Sequence, residues 1–207
     1  PFGSARQISI AGCPVLALRI TYVGELGWEL HLPVEYAQTI YNTLIEAGSP
    51  LGLRNAGYRA IETLRLEKGY RAWSSDIGPD HTTVEACLVW SVKMKSNISF
   101  KGREAIAIQR AEGIKKIMAT FTTDGEVILS GRETIYRNGE RCGWLSSAGF
   151  GHTIGKFIGM GYVRNDGYID PDFVLSGEYE LEVATKRVRA NVCLKPLYDP
   201  KLEKVKT

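Results

Sequence analysis

The sequence predicts an α+β fold, in which an antiparallel sheet with helices is followed by a small all-β barrel or jelly-roll-like domain. Of the 207 residues, 44% are hydrophobic and 10% aromatic, so the chain can bury a substantial core. Strand-like and helix-like segments alternate through the first half, whereas short strand-like segments dominate after Gly113. The expected domains are therefore 1–100 and 114–207, joined by a linker helix over 101–113.

The first predicted feature is a hairpin. Alternation of apolar residues predicts a strand over 15–23, and a second strand follows over 28–32. If Gly24 to Gly27 form a four-residue loop, Tyr22 lies opposite Glu29 in the antiparallel pair.

The hairpin places charged side chains on an apolar face. Glu29 and His31 would share the face that carries Ile20 and Tyr22, because alternate residues of a strand point to the same side. A carboxylate there has two interpretations. It is either an edge-strand side chain facing water or a ligand-binding group beside an aromatic neighbour.

Two helices follow the hairpin. Pro33 opens a predicted helix that ends at Gly48, and Asn55 can cap a second helix that ends at Gly69. Charged residues of the second helix, such as Glu62 and Arg65, are expected to form solvated surface pairs. A strand is predicted over 88–94, before the linker helix.

The second half of the chain is predicted to form a set of short strands. Asn138-Gly139 between two of them is a strong two-residue hairpin signal. A dense set of glycines after the hairpin is expected to mark bends in a tight barrel rather than a dinucleotide site. The predicted strands cover 117–122, 134–137, 141–145, 158–163, 179–183 and 189–194.

Composition excludes several classes of function. The formal net charge is +3 with scattered charges, which is not the clustered basic pattern of a nucleic-acid-binding protein. The apolar runs are too short to cross a bilayer, so we expect no membrane partner. The four cysteines lack metal-ligand spacing, which argues against a metal site and favours a reducing, intracellular location. No Ser, His and Asp pattern supports a hydrolase.

Since the first methionine is Met94, we expect the chain to be a piece of a longer protein.

The order of the motifs resembles one known family. Residues 22–29 read Tyr-Val-Gly-Glu-Leu-Gly-Trp-Glu, similar to the Tyr-x-Gly-Glu-x-Gly-x-Glu motif of the glycine-cleavage T-protein superfamily. Residues 55–73 resemble its folate-site helix, and 76–85 with 100–105 are similar to the segments that come next along the chain in that family. The segment Glu-Lys-Gly-Tyr-Arg-Ala-Trp over 67–73 is most similar to the corresponding segment in the branch of the family that is fused to flavin-dependent dimethylglycine and sarcosine dehydrogenases.

This resemblance implies a folate site. It makes residues 1–100 the second half of a folate-binding aminomethyltransferase domain. Glu29 matches the family's pterin-binding glutamate, whose carboxylate can accept the pterin N3–H and 2-amino group side by side. The position aligned with the family's pocket arginine is Ile61, two residues after Arg59. The other cofactor-binding candidates that the resemblance implies are Tyr22, Tyr70, Trp73 and Arg59.

The resemblance also implies a reaction. Its cofactor is tetrahydrofolate, while FAD and the family's catalytic aspartate belong to parts of a parent chain that precede this sequence. The parent would oxidise an N-methyl group of dimethylglycine or sarcosine, and tetrahydrofolate would capture the one-carbon unit as 5,10-methylenetetrahydrofolate. The implied partners are folate and the flavin dehydrogenase domain of the same parent. The fragment alone should be inactive in oxidation. The location would be the mitochondrial matrix in a eukaryote and the cytoplasm in a bacterium.

Three alternatives remain open at this point. One is a free-standing aminomethyltransferase of glycine cleavage, and another is a non-catalytic protein like the regulatory subunit of pyruvate dehydrogenase phosphatase. The third is an interaction module with a vestigial pocket.

Overall fold

The computed structural model describes residues 1–124 and 127–206. Contacts divide the chain into two compact units, the first Pro1–Arg65 with Asp199–Thr207 and the second Leu66–Tyr198. The domain limits 1–100 and 114–207, which rest on the change in sequence pattern after Gly113, stay a prediction. Among the described helices, none is both long enough and apolar enough to span a membrane.

In chain order the elements are β1 (Ala5–Ile10), β2 (Cys13–Leu18), β3 (Glu29–His31), α1 (Ala37–Gly48), α2 (Tyr58–Glu67), α3 (Arg103–Glu112), β4 (Ile114–Thr123), β5 (Thr134–Arg137), β6 (Glu140–Gly151), β7 (Lys156–Ile169), α4 (Pro171–Leu175), β8 (Tyr179–Val183), β9 (Lys186–Cys193) and α5 (Glu203–Lys206).

The first unit contains a three-stranded antiparallel sheet in the order β1-β2-β3. Strand β2 alternates in burial, with Val15 and Ala17 buried on one face and Leu16 and Leu18 half-buried on the other. The predicted strand over 15–23 is therefore shorter than expected. Strand β1 was not predicted, because most of its residues are exposed and show no apolar periodicity.

The helices of the first unit agree in part with the prediction. Pro33 precedes a short 3₁₀ turn that leads into α1, which ends at Gly48 as expected. The expected cap at Asn55 is wrong. Its Nδ2 donates to the Tyr41 hydroxyl at 2.7 Å, and α2 begins only at Tyr58.

The second unit is dominated by a closed antiparallel barrel of six strands in the order β4-β7-β6-β5-β8-β9. Pairing of β4 with β9 closes it. Its interior is a cluster of buried side chains that includes Phe121, Ile135, Leu145 and Leu181. The expected α+β class with a terminal barrel is confirmed.

The hairpin predicted at Asn138-Gly139 is also confirmed. Arg137 pairs with Glu140, and the two residues between them have φ of 52° and 84°. Both values match the left-handed pair that a two-residue turn needs, which Asn and Gly tolerate best.

The strand predicted over 88–94 is wrong. The structure has a single 3₁₀ turn over Val89–Ser91, and Trp90 is 76% exposed. A run of apolar residues becomes a strand only where a neighbouring strand satisfies its backbone, and this segment pairs with none in the described chain.

Candidate functional site

The hairpin that carries Glu29 has a different register from the predicted one. Glu29 pairs with Leu18, and His31 pairs with Leu16, so the connection between the strands covers 19–28. The four-residue loop and the pairing of Tyr22 with Glu29 are therefore wrong. Because the register differs by an even number of residues, Glu29 and His31 still share a face with Leu16 and Leu18, whereas Ile20 and Tyr22 lie outside the ladder and the buried face is that of Val15 and Ala17.

Arg19 explains why the ladder stops early. Its Nη1 donates to the Gly27 carbonyl at 3.1 Å, and its guanidinium carbon lies 5.6 Å from the centre of the Trp28 ring. Only 5% of Arg19 is exposed, so the connection folds around this side chain instead of continuing the strand pair. Tyr22 is half-buried within this connection.

Glu29 and His31 lie together on β3, an edge strand of the first unit's sheet. Glu29 Oε2 lies 3.3 Å from His31 Nε2, and the two side chains are 47% and 55% exposed. The carboxylate is thus neither buried nor fully solvated. It lies beside the half-buried Leu18 and stays accessible to a ligand that presents hydrogen-bond donors.

An apolar cleft of about 610 Å³ lies next to this pair. His31 contributes to its wall, and the Tyr41 ring lies on the opposite element, α1. Its other lining side chains are aliphatic: Leu30, Leu32, Val34, Ala37, Ile40 and Leu44. The sequence predicted that Glu29 and His31 share a face, because they lie two residues apart on one strand, but it did not predict the contact between them.

The other predicted cofactor-binding residues are divided between the two units. Arg59 is exposed on the first turn of α2, in the first unit with Tyr22 and Glu29. Tyr70 and Trp73 belong to the second unit. Tyr70 is half-buried there, whereas Trp73 is 70% exposed.

A buried carboxylate holds the loop that carries Tyr70 and Trp73. Asp76 is fully buried, and its Oδ2 accepts from the Ala72 backbone N–H at 2.9 Å. Its Oδ1 accepts from the Ser146 hydroxyl at 2.5 Å, which ties the loop to strand β6. The loop is therefore anchored to the barrel.

The charged residues of α2 are not the solvated pairs that the sequence predicted. Arg65 donates to Glu62 at 2.8 Å as expected, but it is only 2% exposed. Glu67 is equally buried and accepts the backbone N–H groups of Thr153 and Ile154 at 2.6 and 3.0 Å. Helical spacing alone could not reveal this burial, because the groups that cover Glu67 are far away in the sequence.

Acidic, histidine and cysteine side chains form no cluster of three or more that could hold a metal ion within residues 1–124 and 127–206. The polar pair beside the apolar cleft of the first unit is Glu29 and His31.

The chain thus combines a helix-and-sheet unit with a closed six-stranded barrel that follows it in the sequence. Residues 1–96 match the family model described as the GCVT N-terminal domain. Residues 115–199 match the one described as the glycine cleavage T-protein C-terminal barrel domain. The chain therefore belongs to the glycine-cleavage T-protein family, as its motifs predicted.

Similar proteins include larger enzymes and a regulator. The mitochondrial sarcosine dehydrogenase of Mus musculus is 43% identical over 100% of this chain and 23% of its own length. The mitochondrial pyruvate dehydrogenase phosphatase regulatory subunit of the same organism is 33% identical over 88% of the chain and 22% of its own length. This chain thus spans about a quarter of these relatives.

A solved structure shares the fold. The glycine cleavage system aminomethyltransferase T from Bartonella henselae superimposes with a TM-score of 0.75 at 25% identity, over 90% of this chain and 50% of that chain.

Proposed function

We propose that this chain is the carboxyl-terminal, tetrahydrofolate-binding part of a flavin-dependent sarcosine or dimethylglycine dehydrogenase. The observation that carries the proposal is the half-exposed Glu29 carboxylate beside the half-buried Leu16 and Leu18. Similarity to a sarcosine dehydrogenase over 100% of this chain and 23% of that protein supports the branch. In a eukaryotic source the expected location is the mitochondrial matrix, and in a bacterial one the cytoplasm.

The donor pattern of a pterin fits the residues present. A pterin offers an N3–H and a 2-amino group side by side, and a carboxylate can accept both in a charge-assisted pair. His31 touches one oxygen of Glu29 and so limits the rotation of the carboxylate. The family motifs also imply an aromatic surface at Tyr22 and a cation at Arg59 in the first unit, and they name Tyr70 and Trp73 of the second unit as further aromatic candidates.

The reaction assigned to the parent is the transfer of a one-carbon unit from oxidised N-methylglycine, giving 5,10-methylenetetrahydrofolate. Bound tetrahydrofolate supplies the amine that captures this unit. The role of Glu29 is to orient the pterin, and the role of the aromatic side chains is to exclude water from it. FAD would be held by a dehydrogenase domain of the same parent chain, and this chain alone would carry out no oxidation.

The first test is a titration of tryptophan fluorescence with folinic acid on this chain and on Glu29→Ala. We expect saturable binding that the substitution weakens by about 1.5–3 kcal/mol, because a charged hydrogen-bond partner is lost. Glu46→Ala is the matched control, since Glu46 is an exposed glutamate on α1 of the same unit. Equal affinity of the chain and Glu29→Ala would refute the role of Glu29.

Similarity to the regulatory subunit favours one second candidate, a non-catalytic regulator. Flavin-linked turnover of sarcosine or dimethylglycine by the full-length parent would support the enzyme. Folate binding without such turnover would support the regulator.

A further inference from the structure

The barrel contains a basic cleft that plays no part in the proposed folate site. It has a volume of about 660 Å³ and lies entirely within the second unit. Three arginines line it, on strands β5, β6 and β7: Arg137, Arg141 and Arg164. Two carboxylates, Glu140 and Asp166, also line it, and no described ion pair joins either of them to these arginines.

Arg164 is the most informative of these side chains. Its guanidinium carbon lies 4.3 Å from the centre of the Trp144 ring, so the aromatic face supports the cation. Its Nε is buried and donates to no partner among the described residues. A buried donor without an acceptor is costly, and it marks a place where an acceptor is expected.

Two other groups of the cleft, Arg137 and Cys142, are respectively held in place and neutral. Arg137 donates from Nε and Nη2 to the Phe173 carbonyl at 3.2 and 2.8 Å, which fixes its guanidinium. Burial raises the pKa of the Cys142 thiol to about 11, so this thiol is uncharged at neutral pH. The cleft therefore presents more positive than negative charge to its contents.

We propose that this cleft binds an oxyanion, the phosphate or carboxylate group of a small molecule, with the Arg164 guanidinium as its central cation. A guanidinium presents its N–H groups in a planar fork that matches both kinds of oxyanion. Arg141, an exposed residue of the cleft lining, supplies a second cation, and Asn165, whose Nδ2 donates to the Tyr168 carbonyl at 3.4 Å, offers a side-chain amide.

The test is an NMR titration that follows the arginine Nε–H signals of the ¹⁵N-labelled chain. The probes are inorganic phosphate and succinate, each compared with sodium chloride at the same ionic strength. We expect the Arg164 Nε–H signal to shift and saturate with phosphate or succinate but not with chloride. Saturation by only one probe identifies that oxyanion as the preferred class.

Substitutions separate the cleft from general charge effects. Arg164→Lys keeps the charge but loses the planar fork and the Nε–H, and we expect it to weaken binding about tenfold or more. Arg187→Gln is the matched control, because Arg187 also stacks on an aromatic ring, that of Tyr136 at 3.7 Å, but lies outside the cleft.

Three outcomes would overturn the proposal. They are no saturable shift of the Arg164 signal with either probe, unchanged affinity in Arg164→Lys, and an equal loss in Arg187→Gln. The titration of the unmodified chain decides the question by itself if Arg164→Lys fails to fold.

Discussion

Asp76 shows how single residues join sequence-distant parts of the second unit. Its carboxylate accepts from the Ala72 N–H and the Ser146 hydroxyl, and its backbone carbonyl accepts from the Tyr162 hydroxyl at 3.1 Å. Burial raises the pKa of Tyr162, so this hydroxyl keeps its proton and stays a donor. A buried carboxylate is tolerated only when donors of this kind surround it. The loop bearing Tyr70 and Trp73 is fixed as a result.

Removing one of these donors should lower the stability of the fold. We expect Ser146→Ala to reduce the free energy of unfolding by about 1–3 kcal/mol, because the buried Asp76 carboxylate loses a hydrogen-bond partner. Urea unfolding at neutral pH measures the difference. Ser91→Ala is the control, since the Ser91 hydroxyl is exposed and bonds only to the local backbone, at Leu88. Equal unfolding midpoints for Ser146→Ala and the unmodified chain would contradict this account.

At the scale of elements, strands and helices with strong local signals were predictable. Strand β5 was predicted at its observed limits and the β5–β6 turn at its observed position, because Asn-Gly specifies the turn and alternation specifies the strand. The register of the Glu29 hairpin was predicted wrongly because it depends on a side-chain contact within the connection between the two strands. Arg19 binds the Gly27 carbonyl and draws residues 19–28 out of the ladder, which no pattern in the sequence reports.

The face of Glu29 was predictable because it depends only on strand parity. The burial of Glu67 was not, since its partners Thr153 and Ile154 come from the β6–β7 turn. The sequence-level expectation of a solvated helix face rests on spacing within one helix. It therefore fails wherever a distant loop covers that face.

The β6–β7 strand pair depends on glycine for its close packing. A Cβ at Gly161 would lie 2.3 Å from the Trp144 carbonyl oxygen and 2.9 Å from Ile135 Cδ1. This crowding lies beside the register shift between Leu145 and Ser147. The expectation that the glycines serve a tight barrel is consistent with this geometry.

We therefore expect Gly161→Ala to destabilise the barrel by about 1–3 kcal/mol, because backbone atoms must shift to admit the methyl group. Gly78→Ala is the control, since a Cβ at Gly78 would meet nothing within 4 Å. Thermal unfolding followed by circular dichroism distinguishes the two variants. A Gly161→Ala protein that melts at the same temperature as Gly78→Ala would show that the strands have room to separate.

At the scale of the whole molecule, the two units differ in how their strands are held. The sheet of the first unit is open, with three strands in the order β1-β2-β3. The barrel of the second unit has no free edge, because β4 pairs with both β7 and β9. Opening one strand of a closed barrel breaks two ladders, so we expect the barrel strands to unfold as one cooperative unit.

The cysteines can test this cooperativity. Cys142 lies on β6 and Cys193 on β9, and burial raises the pKa of both thiols. Because the thiolate is the reactive form, both should react slowly with iodoacetamide at pH 8 while the barrel is folded. The rate at Cys142 should rise as the pH approaches the thiol pKa of about 11.

In increasing urea, we expect Cys142 and Cys193 to become reactive at the same denaturant concentration, since one transition exposes both. Mass spectrometry of peptides after a short labelling pulse gives the reactive fraction of each thiol, and the fully unfolded chain gives the reference rate. Cys13, on β2, reports the first unit separately in the same samples. Different midpoints for Cys142 and Cys193 would mean that β6 and β9 open independently, and the closed barrel would not then be a single folding unit.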